Sequence, residues 1–273
     1  MDCFYINLDN AINRRINIQN NFSRYMEKTW TLNRFSAIDI HYVNKHKIPG
    51  SLRANEKACF LSHRQLIKNN ITTKDPILFL EDDAIIGQQT CTILNQILQH
   101  HGDFEWDIIY TDVCIHQPDT MIDMINLRKD LKLQQKTQLL NLNNFSFAGA
   151  TSYIINPLSL IKVDRLLSQE ESLDVPYDIY LRTLVEKDIL KGYVVFPFIT
   201  TLSNDSEESQ IQLTKTANTD TIWNTFRRMI WLERDLNDFN QITKKIQSDL
   251  CDTESVLFSR LIAALISDKF VNK

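Results

Sequence analysis

The stretch Pro76-Ile77-Leu78-Phe79-Leu80, followed at once by Glu81-Asp82-Asp83, constrains the fold of this chain more than any other feature. A run that is apolar at every position does not suit a half-solvated strand. It predicts a strand covered on both faces, as in the parallel sheet of an α/β protein. Three consecutive carboxylates at its carboxyl end repel one another unless a cation or hydrogen-bond donors offset them, and open α/β sheets gather ligands at such strand ends. Strand alternation puts Glu81 and Asp83 on one side and turns Asp82 away. Glu81 and Asp83 are therefore the candidate ligands of one hard divalent cation, Mg2+ or Mn2+, of the kind bound with substrate phosphates. The competing reading of the same residues is a solvated acidic turn.

The rest of the first half repeats a strand-then-helix alternation. Cys3 to Leu8 reads as a strand, and Ile12, Ile16, Gln19, Phe22 and Met26 recur at near-helical spacing. Trp30 to Ile38 suggests a second strand, the polar stretch to Ser51 with its Pro49-Gly50 a loop, and Asn55 onward a helix. Ile93, Leu94, Ile97, Leu98 and His101 share a helix face that Gly102 can close, and Trp106 to Tyr110 makes another short strand. From Asp112 to about Asn144 the pattern loosens into a polar, loop-like stretch. Ala148 to Ile155 then reads as a strand, Pro157 opens a helix, Tyr177 to Leu190 is helical and Gly192 to Phe198 a strand. Leu202 to Gln212 is an acidic surface loop. Beyond Thr219 the apolar spacing of Ile222, Trp223, Phe226 and Ile230, and of Val256, Leu257, Leu261 and Leu265, predicts amphipathic helices. The expected organisation is a catalytic domain over 1–212, with halves at about 1–115 and 145–212, followed by a helical extension over 213–273.

Composition narrows the function classes. Thirty basic against thirty-four acidic side chains give a net charge of −4, so no nucleic-acid partner is expected. The five glycines are too scattered for a dinucleotide or phosphate loop, or for a nucleophile elbow, and there is no H-E-x-x-H pair. The five cysteines, odd in number and without a C-x-x-C, signal neither a disulfide framework nor a zinc site. No secretory leader and no membrane-spanning run is read. A cytoplasmic protein is expected, with any membrane attachment peripheral, at the inner face.

The segment Asn55-Glu56-Lys57-Ala58-Cys59-Phe60-Leu61-Ser62-His63, followed by Ile77 to Ala84, resembles the signature of glycosyltransferase family 25, roughly G-E-I-G-C-x-L-S-H and then L-x-L-E-D-D. Glu56, Cys59, Leu61, Ser62, His63, Glu81, Asp82 and Asp83 match. Asn55, Lys57 and Ala58 stand where the pattern has two glycines and an apolar residue. Tyr5-Ile6-Asn7-Leu8 with Asn13-Arg14-Arg15, Ala37-Ile38-Asp39, Gly149 to Ile155, and Asp174-Val175-Pro176-Tyr177-Asp178 resemble further family elements in the same order. The resemblance implies a glycosyltransferase A-type α/β fold with a mixed sheet flanked by helices. It also implies a nucleoside-diphosphate-sugar donor, usually UDP-galactose, and inverting transfer to a hydroxyl. The acceptor would be a glycan or lipid-linked glycan, in lipooligosaccharide or another surface polysaccharide.

On that reading Asp83, with Glu81 or Asp82 assisting, holds the cation that neutralises the diphosphate, and Asp178 is the general base. Asn7, Arg14, Arg15, Asp39, Ser62, His63 and Asp82 are the candidate donor-binding residues. For Asp178 the plainer alternative is a carboxylate stabilising a helix start, and for His63 a packed, hydrogen-bonded histidine. Cys59 reads as a small buried hydrophobe. The cluster Trp223, Phe226, Arg227, Arg228, Met229, Ile230, Trp231 suits either an interfacial helix contacting a membrane through 223–231 or an ordinary amphipathic helix packed on the domain. Three other functions compete: a transferase modifying a protein hydroxyl, a phosphohydrolase or nuclease recruiting Asp107 and Asp112, and a catalytically inactive binding module.

Overall fold

The computed structural model describes residues 1–99, 104–203 and 217–234 and six scattered positions between 244 and 261. The first βα unit is β1 (Asp2–Asn7) and α1 (Ile12–Tyr25), then β2 (Thr31–Ser36) leads into α2 (Ile40–Lys45) and α3 (Ala54–Asn69). The apolar run is β3 (Ile77–Glu81), ending in the acidic turn, and is followed by β4 (Ala84–Ile86), α4 (Thr90–Gln99), β5 (Ile108–Tyr110) and β6 (Cys114–Ile115). Next come α5 (Pro118–Gln134), β7 (Gln138–Asn141), β8 (Phe147–Ala148), β9 (Ser152–Ile155), α6 (Leu160–Ser168) and α7 (Tyr177–Glu186). β10 (Gly192–Phe196), β11 (Thr200–Leu202) and α8 (Ala217–Ile230) complete the described elements.

Seven strands form one mixed sheet in the order β2-β1-β3-β9-β5-β10-β7. β1 pairs parallel with β2 and β3, and β5 with β10, whereas β9 runs antiparallel between β3 and β5. This is the expected α/β architecture, a mixed sheet flanked by helices. The reversed β9 brings the loop that precedes it to the carboxyl ends of β3 and β5. Ile77, Leu78, Phe79 and Leu80 are all buried, odd positions against one hydrophobic cluster and even positions against the other, so the strand is covered on both faces as its sequence demands.

Two expectations need correction. The loop to Ser51 contains α2, capped by Asp39, whose carboxylate accepts the Tyr42 N–H at 2.8 Å. The polar stretch after Asp112 contains the seventeen-residue α5, with Pro118 in its first turn. Leu133 on it is 85% exposed and Arg128 is buried, which hid the helical period. Phe226 and Ile230 of α8 belong to the same core as β3 and β5. Arg128 donates to the Ile230 and Trp231 carbonyls at 3.3 and 2.9 Å, closing the end of α8. Glu233 in turn accepts the Gln88 and Gln89 N–H groups, at 2.7 and 2.6 Å, at the start of α4. His101, Gly102, Cys251, Val256, Leu265 and the acidic loop from 204 to 212 lie outside the described residues.

Candidate active site

The carboxyl ends of β1, β3 and β5 and the loop before β9 enclose one acidic centre. β3 ends at Glu81, so Asp82 and Asp83 sit in a turn and follow its geometry rather than strand alternation. Asp82 faces β1, where it accepts from Asn7 Nδ2 at 2.7 Å and from Arg14 Nη1 at 2.9 Å. Burial nevertheless raises its pKa, an effect these donors only partly offset. Asp83 Oδ2 lies 3.7 Å from the same guanidinium, and its buried Oδ1 has no hydrogen-bond partner among the described residues. Burial, and next the charge of Glu81, push Asp83 up to about 7. Glu81 behaves oppositely. Burial works to raise it, but the hydrogen bond and charge of His63, with Arg227 and Arg14, hold it below the usual carboxylate range.

Several expected donor-binding residues have structural duties. Asn7 is buried with both amide atoms in use, donating to Asp82 and the Ala11 carbonyl and accepting from Arg34 Nε. Ser62 is buried on α3, where it accepts the Ile38 N–H at 2.9 Å and donates to the Ala58 carbonyl. Asp39 is exposed and caps α2. Arg15 is half-buried on α1, and of the basic pair it is Arg14 that bonds the acidic turn. His63 has both ring nitrogens engaged, Nδ1 with Tyr153 Oη at 2.8 Å and Nε2 with Glu81 Oε1 at 3.3 Å. Its ring stacks on Tyr177 with centroids 4.2 Å apart. The ring therefore holds Glu81 in place. Asn7, Ser62, Asp39 and His63 thus brace the elements around the centre through these bonds.

Asp178 sits in the first turn of α7, and its Oδ2 accepts the Gly149 N–H at 2.7 Å. Gly149 has φ +90°, a conformation that suits glycine. Asp178 faces the same centre as the acidic turn: the Cys59 thiol is pushed well up by burial, then by the charges of Glu81, Asp178 and Asp83.

One participant escaped the sequence reading. Arg227 of α8 is 3% exposed and donates from Nε to Asp112 at 2.6 Å, at the carboxyl end of β5. Burial disfavours its charge and the Asp112 carboxylate outweighs that effect, raising its pKa. Its Nη2 is buried and has no hydrogen-bond partner among the described residues. A Cβ on Gly149 would lie 3.4 Å from its Nη1, so the guanidinium borders the glycine loop. Arg228 donates to the Leu202 and Ser203 carbonyls. Both arginines of the 223–231 cluster thus make hydrogen bonds within the fold. No helix among the described residues is long and apolar enough to cross a membrane.

The phosphohydrolase alternative loses its extra carboxylates. Asp107 lies at the amino end of β5, held by Ser159, Lys162 and the Lys191 N–H beside a hollow of about 650 Å³, and Asp112 is neutralised by Arg227.

Residues 1–181 match the family model of glycosyltransferase family 25 (LPS biosynthesis protein). No curated protein matches the chain. Among solved structures it is similar to the apo-form glycosyltransferase GlyE of Streptococcus pneumoniae TIGR4, at 11% identity and TM-score 0.36, covering 70% of this chain and 44% of that one. It is also similar to apo mouse xyloside xylosyltransferase 1, at 9% identity and TM-score 0.33, covering 70% of this chain and 63% of that one. The chain thus spans less than two thirds of either.

Proposed function

The chain belongs to glycosyltransferase family 25, and from that premise we propose that it transfers a hexose, with inversion, from a UDP-sugar to a glycan hydroxyl. Galactose is the proposed sugar, and the proposed acceptor is a lipooligosaccharide or other surface polysaccharide built on the cytoplasmic side. The observation that carries the reading is Asp83, with its orphaned buried oxygen and raised proton affinity beside two arginines. Both features fit a divalent cation, and all-oxygen donors suit Mn2+ or Mg2+. Asp83 would hold it with Glu81. When bound, such an ion neutralises charge on the diphosphate leaving group.

The chain's own groups supply the rest. Arg14 fixes Asp82 and leans on Asp83, and Arg227 brings a second guanidinium from α8. Together they bias the centre toward negative charge growing on UDP. Asp178, oriented through Oδ2 by Gly149, takes the acceptor proton on Oδ1 as the acceptor oxygen bonds the anomeric carbon and the bond to the diphosphate oxygen breaks. Release of UDP from a panel of UDP-sugars, with and without Mn2+, tests this. Manganese-dependent release from one donor, abolished in Asp83→Ala, is the expected result. A folded protein that binds no UDP would overturn it.

A further inference from the structure

Behind the acidic turn lies a second group of ligating atoms with different chemistry. Cys59 and His63 are four residues apart on α3 and so share a helix face. Glu81 is laid over that face by the end of β3. The thiol sulfur, a ring nitrogen and a carboxylate oxygen all fall within 4.8 Å of one another. We propose that Cys59, His63 and Glu81 form a three-ligand site for a thiophilic divalent cation, zinc above all, with its fourth position open to the active-site cleft.

The donor set decides the metal. Sulfur, imidazole nitrogen and carboxylate oxygen suit zinc and ill suit Mg2+ or Mn2+, which take oxygen. Tetrahedral zinc with bonds of about 2.0–2.3 Å separates its ligand atoms by roughly 3.3–3.8 Å, so the observed grouping needs only a small contraction. One thiolate and one carboxylate also balance the 2+ charge. The route in is through Glu81, whose side chain is 29% exposed while His63 is 1% exposed.

The surroundings of His63 are those of a metal ligand. Its ring is pinned against Tyr177, and Nδ1 meets Tyr153 Oη, which itself meets Tyr177 Oη at 2.8 Å. Such an outer partner fixes ring orientation and tautomer. In the metal-free protein Nε2 meets Glu81 Oε1 and Nδ1 meets Tyr153 Oη. With zinc on Nε2, Nδ1–H becomes the donor to Tyr153 Oη. Any proton on Nε2 and that of the Cys59 thiol pass to solvent as the zinc–nitrogen and zinc–sulfur bonds form.

This site stands on Cys59, His63 and Glu81 and does not rest on the transferase reading. The full chain, kept reduced, is titrated with Co2+, whose bond to a thiolate gives a near-ultraviolet charge-transfer band, and the cobalt is then displaced with Zn2+. About one equivalent of band-forming cobalt, bleached by zinc, is expected. Cys59→Ser should remove the band, and both Cys59→Ser and His63→Gln should weaken zinc binding by at least roughly 100-fold. Asp83→Ala should keep the band, which separates this site from the oxygen site of the proposed transferase. Near-ultraviolet circular dichroism verifies folding, and His63→Gln serves should Cys59→Ser not fold. No band in the wild type, a band that survives Cys59→Ser, or zinc affinity unchanged in a folded His63→Gln protein would overturn the proposal.

Discussion

Arg227→Ala is expected to melt on the order of 10 °C below wild type. The substitution leaves Asp112, which is fully buried, without its guanidinium, and breaking a buried pair from one side costs about 3–5 kcal/mol, because the surviving charge has lost its compensation. Thr200 Oγ1, 3.0 Å from Asp112, is too little to replace it. Arg227→Lys should recover only part of the loss, since a single ammonium cannot match the planar fork that reaches Asp112 through Nε while presenting Nη1 beside Gly149. Replacing both charges at once, Asp112→Asn with Arg227→Met, should melt above Arg227→Ala, because no bare charge remains buried. Thermal unfolding of the four proteins at neutral pH measures this directly. If Arg227→Ala melts with the wild type, the pair does not hold α8 to the sheet. A second readout separates charge from packing: turnover in the double variant should stay low even where stability returns, because the guanidinium beside Asp83 is gone.

The contrast between Arg227 and Asp83 shows where the sequence was legible. A strand buried on both faces and an acidic turn at its end are local facts, written in eight consecutive residues, and the structure keeps them. Asp82 and Asp83 departed from strand alternation because β3 stops at Glu81, a boundary that periodicity places only to within a few residues. α5 was hidden because its half-exposed face mixes Leu133 with lysines and its buried face includes Arg128. The sequence places Asn7, Ser62 and His63 near the centre, but their hydrogen bonds to Asp82, Ile38 and Glu81 arise only from the folded chain. Arg227 lies 115 residues from Asp112, and no spacing rule reports a partner at that distance. The grouping of Cys59 and His63 with Glu81 was invisible for the same reason: two ligands share a helix turn, and the third arrives on a strand.

Asp83→Asn should stabilise the metal-free protein at pH 8 and flatten its stability between about pH 4 and 7. Asp83 is raised from 3.8 to about 7, first by burial and then by the charge of Glu81, so between those values the folded state binds a proton that the unfolded chain has given up. Stability contributed by this group is therefore greatest below the ordinary carboxylate range and declines as pH rises, by at most about 1.4 kcal/mol per unit, until it levels near pH 7. Glu81 acts with the opposite sign, since its lowered pKa lends stability that is lost as pH falls. The difference between wild type and Asp83→Asn, measured by urea unfolding across the range, isolates the Asp83 contribution. A cation should answer the same deficit. Because it must displace the Asp83 proton, Mn2+ affinity should fall about tenfold per unit below pH 7 and become level above it. Calorimetric Mn2+ titrations from pH 5.5 to 8.5 check the slope. Affinity that does not change with pH, together with identical stability profiles for wild type and Asp83→Asn, would place both the proton and the metal elsewhere.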